Sequence, residues 1–533
     1  MFDFTGLRTI VFFIFRRDRW SILIWTVLLA IFTFYVAMAM PIIYPSDSDA
    51  GMIVETLQNP AMASMIGPYF GEEGVYDLGA IFSAEMSLMT MAVVATMVIL
   101  AVTRHTRKDE EVGRFEMIRS FPVGKSTVLI ATIIVYTLVS LLVGFVCGLG
   151  LILSGLEGVN FNGAMIFGLC LSMAGIFFVS ITSVFAQLSQ SSRGAVGYSF
   201  ALLGASYILR GLGDISDNWL SYLPPFGMLL NSQSLVENIW WPILIVMVIS
   251  AIFGITALKL NHIRDLDASF IPARKGKKNA SVFLKGIFTL AFKNQRTALV
   301  SWVIAMFVLG ASYGSVLGSI EEFFSGNELY QQLVSSIGGT GSLVDRFIVM
   351  LYAVVAIVAV IPTLQVVNKL RYEESHGRIE PVLARPVSRN RLILSYLILA
   401  MSVSMVMTLS GVLGLYIAGA QVTTVPLVLS NMILAVMAYL PAAWIFIGVS
   451  ILILGVAPGL IKMVWVYLGF GFASIYFGGI LKLPDWVVKL SPFGHVQRLP
   501  VEEYNITSGI GMVVVFGVLV AIGSLMYRNR DLN

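Results

Sequence analysis

The chain has 533 residues, of which 57% are hydrophobic and only 12% charged, with a net charge of +4 and a mean hydropathy of +0.87. A soluble domain carries about 25% charged residues, so this composition excludes a soluble globular chain and specifies an all-α polytopic membrane protein. The two cysteines, Cys147 and Cys170, fall inside apolar runs, which leaves neither a disulfide framework nor a metal cluster to build from them.

Crossing a hydrocarbon core of ~30 Å takes about 20 helical residues. The first such stretch, near 20–40, follows GLRTIVFFIFRRDRWSILIW, whose Arg8, Arg16, Arg17 and Arg19 suit an interfacial helix with basic ends. No small-residue cleavage site precedes it, so no cleavable signal peptide is expected. The 41–80 loop holds Asp47, Asp49, Glu55, Glu72, Glu73 and Asp77 without one basic residue. A second span near 81–103 leads into a charged island, RKDEEVGRFEMIRSFPV at 107–123. Spans near 126–153, 161–187 and 195–213 come next, then NWLSYLPPFG at 218–227 and a sixth span near 241–260. The basic stretch IPARKGKKNAS at 271–281 separates these from a second set near 298–318, 347–367, 392–419, 425–454, 461–480 and 508–527.

The second set repeats the first. Residues 371–387, RYEESHGRIEPVLARPV, match 107–123 without a gap at an offset of 264, with seven of 17 positions identical. Before the seventh span, GIFTLAFKNQRTALVSW resembles the amino-terminal segment, with Phe15/Phe292, Arg19/Arg296 and Trp25/Trp302 in register. Before the twelfth, DWVVKLSPFG at 485–494 matches 218–227 through Trp219/Trp486, Pro225/Pro492, Phe226/Phe493 and Gly227/Gly494. The chain therefore reads as two six-helix halves forming a pseudo-dimer, 1–260 and 298–533, joined by a basic linker and interfacial helix at 261–297. With both termini cytoplasmic, 29 of the 34 Lys and Arg fall on the inner side, as the positive-inside rule asks. The Pro-Phe-Gly segments then lie on the outer side, where their interfacial tryptophans suit short helices that turn sharply.

Within each island the residue types suit a rigid connector. Glu110/Arg114 and Glu374/Arg378 stand four apart, the spacing at which charges meet on one helical face. Gly113 and Gly377 permit a bend, and Pro122 and Pro386 open the next span. A solvated loop whose charges only set topology would show the same composition, but two gap-free copies at equivalent places favour a working element.

The pattern E-E-x(1,2)-G-R-x-E-x(5)-P-[VI] between the second and third spans of a six-helix unit resembles the permease subunits of type-2 ABC exporters. The fused two-unit form is similar to bacterial multidrug and polyketide-antibiotic exporter permeases. The resemblance implies that each island carries a coupling helix seated on a separate ATPase, so that Glu110, Gly113, Arg114 and Glu116, with Glu374, Gly377, Arg378 and Glu380, contact or brace two ABC ATPase subunits. It implies a bacterial cytoplasmic membrane, ATP and Mg bound only by the partner, no cofactor in this chain, and export of an amphipathic drug, antibiotic or lipid-like molecule. The second island departs from the first at Ser375, His376 and Pro381. Reversal of Glu110 or Arg378 is expected to act on ATPase association and leave membrane insertion undisturbed, since neither residue lies in the hydrocarbon.

Other motifs fail. Gly124-Lys125-Ser126 imitates the end of a phosphate loop, but Arg119 stands where its first glycine is needed. LSGLEG at 153–158 is like an ABC signature yet lies outside, and the four histidines have no metal-ligand spacing. The competing reading is an ion-coupled secondary transporter, which needs ionisable groups at mid-membrane; Glu85, near the outer end of the second span, is the clear acidic candidate. A membrane-embedded transferase would want clustered His, Asp or Arg, which are absent. Glu85 and Met89 in the second span and Tyr476 in the eleventh are candidates for an adaptable apolar substrate pathway, although such bands also serve helix packing.

Overall fold

In the computed structural model the regular elements are helices, and the residues it describes are 4–58, 60–72, 76–216, 218–265, 268–272, 279–315, 317–318, 343–423, 427–476, 484–497, 499 and 506–531. The chain divides into two compact units, residues 1–276 and 277–533. Eleven of the described helices are long and apolar enough to cross a membrane. Residues 273–278 of the basic linker and 477–480 of the eleventh expected span lie outside the described residues; that span is helical over Met463–Tyr476.

In the first unit the long helices are Leu7–Ile43, Leu78–Glu111, Thr127–Leu153, Phe161–Leu188, Ser192–Asp214 and Trp241–Ile263. The expected interfacial segment is not a separate helix. It is the start of the 37-residue helix Leu7–Ile43, because nothing in RRDRW breaks a helix and the one internal proline is Pro41, near its end. Its buried stripe, Ile10, Ile14, Asp18, Ile22, Thr26, Leu29, Thr33, Ala37 and Met40, keeps helical spacing throughout. At about 1.5 Å per residue such a helix is longer than the hydrocarbon is thick, so its first turns project beyond it. The second span likewise runs past its expected end at 103: it continues through a π-turn, Arg104–Lys108, to Glu111. The third and fourth helices meet backbone to backbone, since a methyl group on Gly144 would strike the carbonyl of Gly168.

In the second unit the long helices are Ile287–Ser315, Phe347–Ser375, Arg389–Val422, Leu429–Val456 and Ile506–Asn529. Here too the expected interfacial segment merges with its span, residues 287–297 being the first turns of Ile287–Ser315. Gly310 and Gly411 repeat the close backbone approach, now between the helices that hold the first and third places in this unit.

Candidate functional site

The first island is a helix end, a turn and a short helix. Helix Leu78–Glu111 stops where Gly113 takes φ +76°, a left-handed conformation that glycine adopts without strain, and Arg114–Arg119 begins. A side chain at Gly113 would meet no atom within 4 Å, so it is the backbone and not crowding that calls for glycine. The π-turn at Arg104–Lys108 widens the helix where it turns a run of charges inward, with His105, Arg107, Asp109 and Glu110 all buried. π-turns of this kind concentrate at functional sites.

These charges are paired. Arg107 donates to Glu110 at 3.0 Å and to the backbone carbonyl of Gln190 at 2.8 Å, and Arg264, at the end of the sixth span, donates to the same Glu110 oxygen at 2.8 Å. Asp109 accepts from Arg17 at 2.5 Å and from Arg114 at 2.6 Å. Asp18, on the buried stripe of the first helix, accepts from His105 Nε2 at 2.5 Å and also from Arg104 and Tyr136. The island is thereby fastened to the first, third and sixth spans of its own unit.

The second island repeats the pattern more loosely. Gly377 takes φ +67° at the matching turn. Arg371 stands 3.6 Å from Glu374, against 3.0 Å for Arg107–Glu110, and Arg378 stands 3.5 Å from Glu373, against 2.6 Å for Arg114–Asp109. Arg530, beyond the last span, holds Glu374 as Arg264 holds Glu110. Arg389 donates to the carbonyl of Arg528 at 3.1 Å and to that of Arg530, which positions the chain end. Lys369, where the first island has His105, pairs with Glu373 at 2.6 Å.

The expected pairs Glu110/Arg114 and Glu374/Arg378 are not the ones formed. In both islands the left-handed glycine turns the arginine away from its i−4 neighbour and onto the preceding carboxylate, Asp109 or Glu373. Glu110 and Glu374 face inward instead, so reversing Glu110 would unbalance a buried cluster as well as any docking surface. Glu116 and Glu380, Arg114 and Arg378 are exposed. Around them the first island exposes Val112, Met117 and Phe121, whereas the second exposes His376, Pro381 and Arg385 at the matching positions.

Sequence reasoning missed Arg264 and Arg530, although the tripeptide Arg-Asp-Leu follows both the sixth and the twelfth span, at 264–266 and 530–532. It also passed over Asp18, which reads as one acid among arginines yet falls on the apolar stripe at helical spacing.

At the other end of each unit the Pro-Phe-Gly segments form tight turns. Trp219–Tyr222 is a 3₁₀ turn leading to Pro225–Leu230, with Phe226 fully buried at 5.6 Å from the Phe178 ring. In the second unit Asp485–Val488 leads to Pro492–His495, and Phe493 packs 5.4 Å from Phe446. A methyl on Gly227 would strike the carbonyl of Ser221, and one on Gly494 that of Val488, so both glycines are required by close approach. Trp219 and Trp486 are exposed, as an interfacial residue would be. Arg210, near the end of the fifth helix, is fully buried, donating to Asp214 at 2.7 Å and to the carbonyls of Ala63 and Ser64 at 2.9 and 2.5 Å. Of the pathway candidates, Glu85 accepts from Tyr44 at 3.0 Å, Met89 is exposed one turn along the same helix, and Tyr476 stacks on Phe472 at 5.4 Å in the second unit.

Comparison with known proteins places this architecture. The chain is 30% identical over 533 residues to the multidrug efflux system permease protein Rv1217c of Mycobacterium tuberculosis (strain ATCC 25618 / H37Rv), covering 99% of this chain and 95% of that relative. A family model described as "Multidrug efflux system permease Rv1217c, C-terminal domain" matches residues 7–259 and 284–528, which take in both islands and both Pro-Phe-Gly segments. With nearly all of its length matched, this polytopic helical membrane protein belongs to the family of the multidrug efflux system permease Rv1217c.

Proposed function

We propose that this chain is the permease of a multidrug exporter in the bacterial cytoplasmic membrane, with both termini cytoplasmic, driven by ATP that two separate ABC ATPase subunits hydrolyse. The observation that carries this reading is the duplicated island: in each unit a buried acid pair is fastened to arginines from its own spans, while a short helix beyond a left-handed glycine presents an exposed acid, Glu116 or Glu380. Transmitting force from a moving partner requires such an element, braced on one side and open on the other, because a connector held only by solvent-exposed charge pairs worth about 0–1 kcal/mol would yield before the spans moved. The unequal faces of the two islands suit two non-identical ATPase surfaces. The relative's name speaks of multidrug efflux, and an amphipathic drug, antibiotic or lipid-like molecule is the substrate class this reading assigns.

The test is reconstitution of the chain with and without its cognate ATPase. Export should require ATP and the partner and persist when the proton gradient is collapsed. Glu116→Lys should lower substrate-stimulated ATP hydrolysis severalfold while leaving the thermal unfolding temperature within a degree or two, since that side chain is exposed. Export by the chain alone on a pH gradient, indifferent to Glu116→Lys, would establish an ion-coupled transporter instead.

A further inference from the structure

We propose that the first unit carries a binding site for an anionic phospholipid, in a cleft between the first helix and the island helix. The cleft has a volume of about 310 Å³, within the range of ligand pockets, and is lined by Phe13 and Arg17 of the first helix and by Asp109, Arg114, Met117 and Phe121 of the island. Its floor is one carboxylate held by two guanidinium groups: Arg17 grips Asp109 at 2.5 and 3.2 Å and Arg114 grips it at 2.6 Å. Asp18, the neighbouring acid, is matched by Arg104 and His105, so it does not offset the surplus positive charge. Each guanidinium has five N–H donors, and these bonds use two of Arg17's and one of Arg114's. The side chains stay 25% and 46% exposed, which leaves them able to receive an anion as well as Asp109.

The walls decide what kind of anion. Phe13, Met117 and Phe121 are each more than half exposed, an apolar rim that a free inorganic ion would not use. The first helix runs from this cleft directly into a surface of exposed Leu23, Ile24, Leu28 and Ile31, with Trp20 beneath Arg19 at the change of character. Exposed tryptophan and arginine ahead of an all-apolar face mark the water–hydrocarbon boundary. A phosphodiester at Arg17 and Arg114 would therefore have its acyl chains beside Phe13 and down that face. The exposed apolar face that continues from the cleft down the first helix offers an acyl chain a contact that a soluble protein does not need, which is why lipid is the favoured occupant.

The second unit supplies an internal control. In the register that aligns Phe15 with Phe292 and Arg19 with Arg296, Asn294 replaces Arg17 and Gln295 replaces Asp18, and at the island register Arg385 replaces Phe121. The guanidinium of the first helix is therefore not repeated and Arg385 interrupts the apolar rim, while Leu290 and Pro381 keep its other positions apolar and Glu373 is held by Arg378 and Lys369 instead. The inference concerns binding alone and holds whatever drives transport.

The experiment is native mass spectrometry of the purified full chain, offered equal amounts of phosphatidylglycerol and phosphatidylcholine of one chain length. The wild type should retain one phosphatidylglycerol in preference to phosphatidylcholine. Arg17→Asn, the residue the second unit tolerates, should lower that retention about tenfold, as loss of a charged hydrogen bond does. Phe121→Glu, at an exposed position where folding is not at risk, should do the same by repulsion, whereas Arg17→Lys should retain most binding. Inorganic phosphate should not displace the lipid; displacement at millimolar phosphate would reduce the cleft to a free-anion site and overturn the proposal. Equal retention of both lipids, or unchanged retention in Arg17→Asn and Phe121→Glu, would also overturn it. So would loss of a copurifying ATPase from Arg17→Asn with lipid retention unaltered, which would assign the cleft to that protein.

Discussion

Buried charge is the feature that single residues decide in this molecule. Glu110 is almost wholly buried between Arg107 and Arg264, and removing one partner of such a cluster leaves an uncompensated charge at a cost of about 3–5 kcal/mol. Arg264→Ala should lower the thermal unfolding temperature in detergent, Glu110→Gln, which strands the buried Arg107 and Arg264 together, should lower it further, and the double change should cost less than the sum of the two. Strict additivity of the two changes would show that the residues do not interact. Arg530→Ala should cost less, because Arg530 is 17% exposed against 6% for Arg264 and water can replace it. At the island turn, Gly113→Ala should destabilise by about 1–2 kcal/mol from its left-handed backbone alone. Gly113→Asn should cost less, since asparagine visits that conformation; equal penalties for the two would point to crowding, which the open space around Gly113 argues against.

At the scale of elements, each Pro-Phe-Gly segment is a plug anchored by one ring. Phe226 and Phe493 lie against Phe178 and Phe446, which hold the matching fourth helix of their own units. Phe226→Ala should destabilise the first unit by about 3–5 kcal/mol, the usual cost of removing a buried phenylalanine. Trp219→Ala, seven residues earlier but exposed, should leave unfolding unchanged while altering how the segment sits at a lipid surface. Unfolding curves that rank these two the other way would mean that the tryptophan, and not the phenylalanine, holds the turn. The long helix Leu7–Ile43 serves a second purpose at this scale. By extending beyond the hydrocarbon it brings Arg17 and Asp18 to the island, a connection that a separate interfacial helix joined by a flexible turn would not hold in place.

For the whole molecule the duplication sets the expected assembly. A chain that already holds two islands, each braced within its own unit, should form the functional exporter as one copy with two ATPase subunits. Native mass measurement of the active complex checks this directly, and two copies of the chain per complex would refute it. The islands are not equal: among the described residues the first is held by more ion pairs, with its Arg107–Glu110 and Arg114–Asp109 contacts shorter than their counterparts, and the second depends on the segment after the last span through Arg530 and Arg389. Removal of residues 530–533 should therefore impair ATP-coupled export through the second island while leaving the first unit's stability as it was.

The sequence by itself determined the class, most of the helices and the existence of the repeat. Hydropathy over about 20 residues is a one-dimensional property, and identities such as Gly113/Gly377 and Phe226/Phe493 need no third dimension to be seen. The left-handed turns were legible for the same reason, since glycine at a helix end declares its backbone. Which charges meet was not legible. Spacing of four along a continuous helix pairs Glu110 with Arg114, but the turn at Gly113 breaks the helix between them, and the partners come from Arg17 and Arg264, 92 and 154 residues from the acids they hold. Only packing brings such residues together, and only burial decides that their pairing is obligatory, because a charge removed from water must find an opposite charge wherever the fold has placed one.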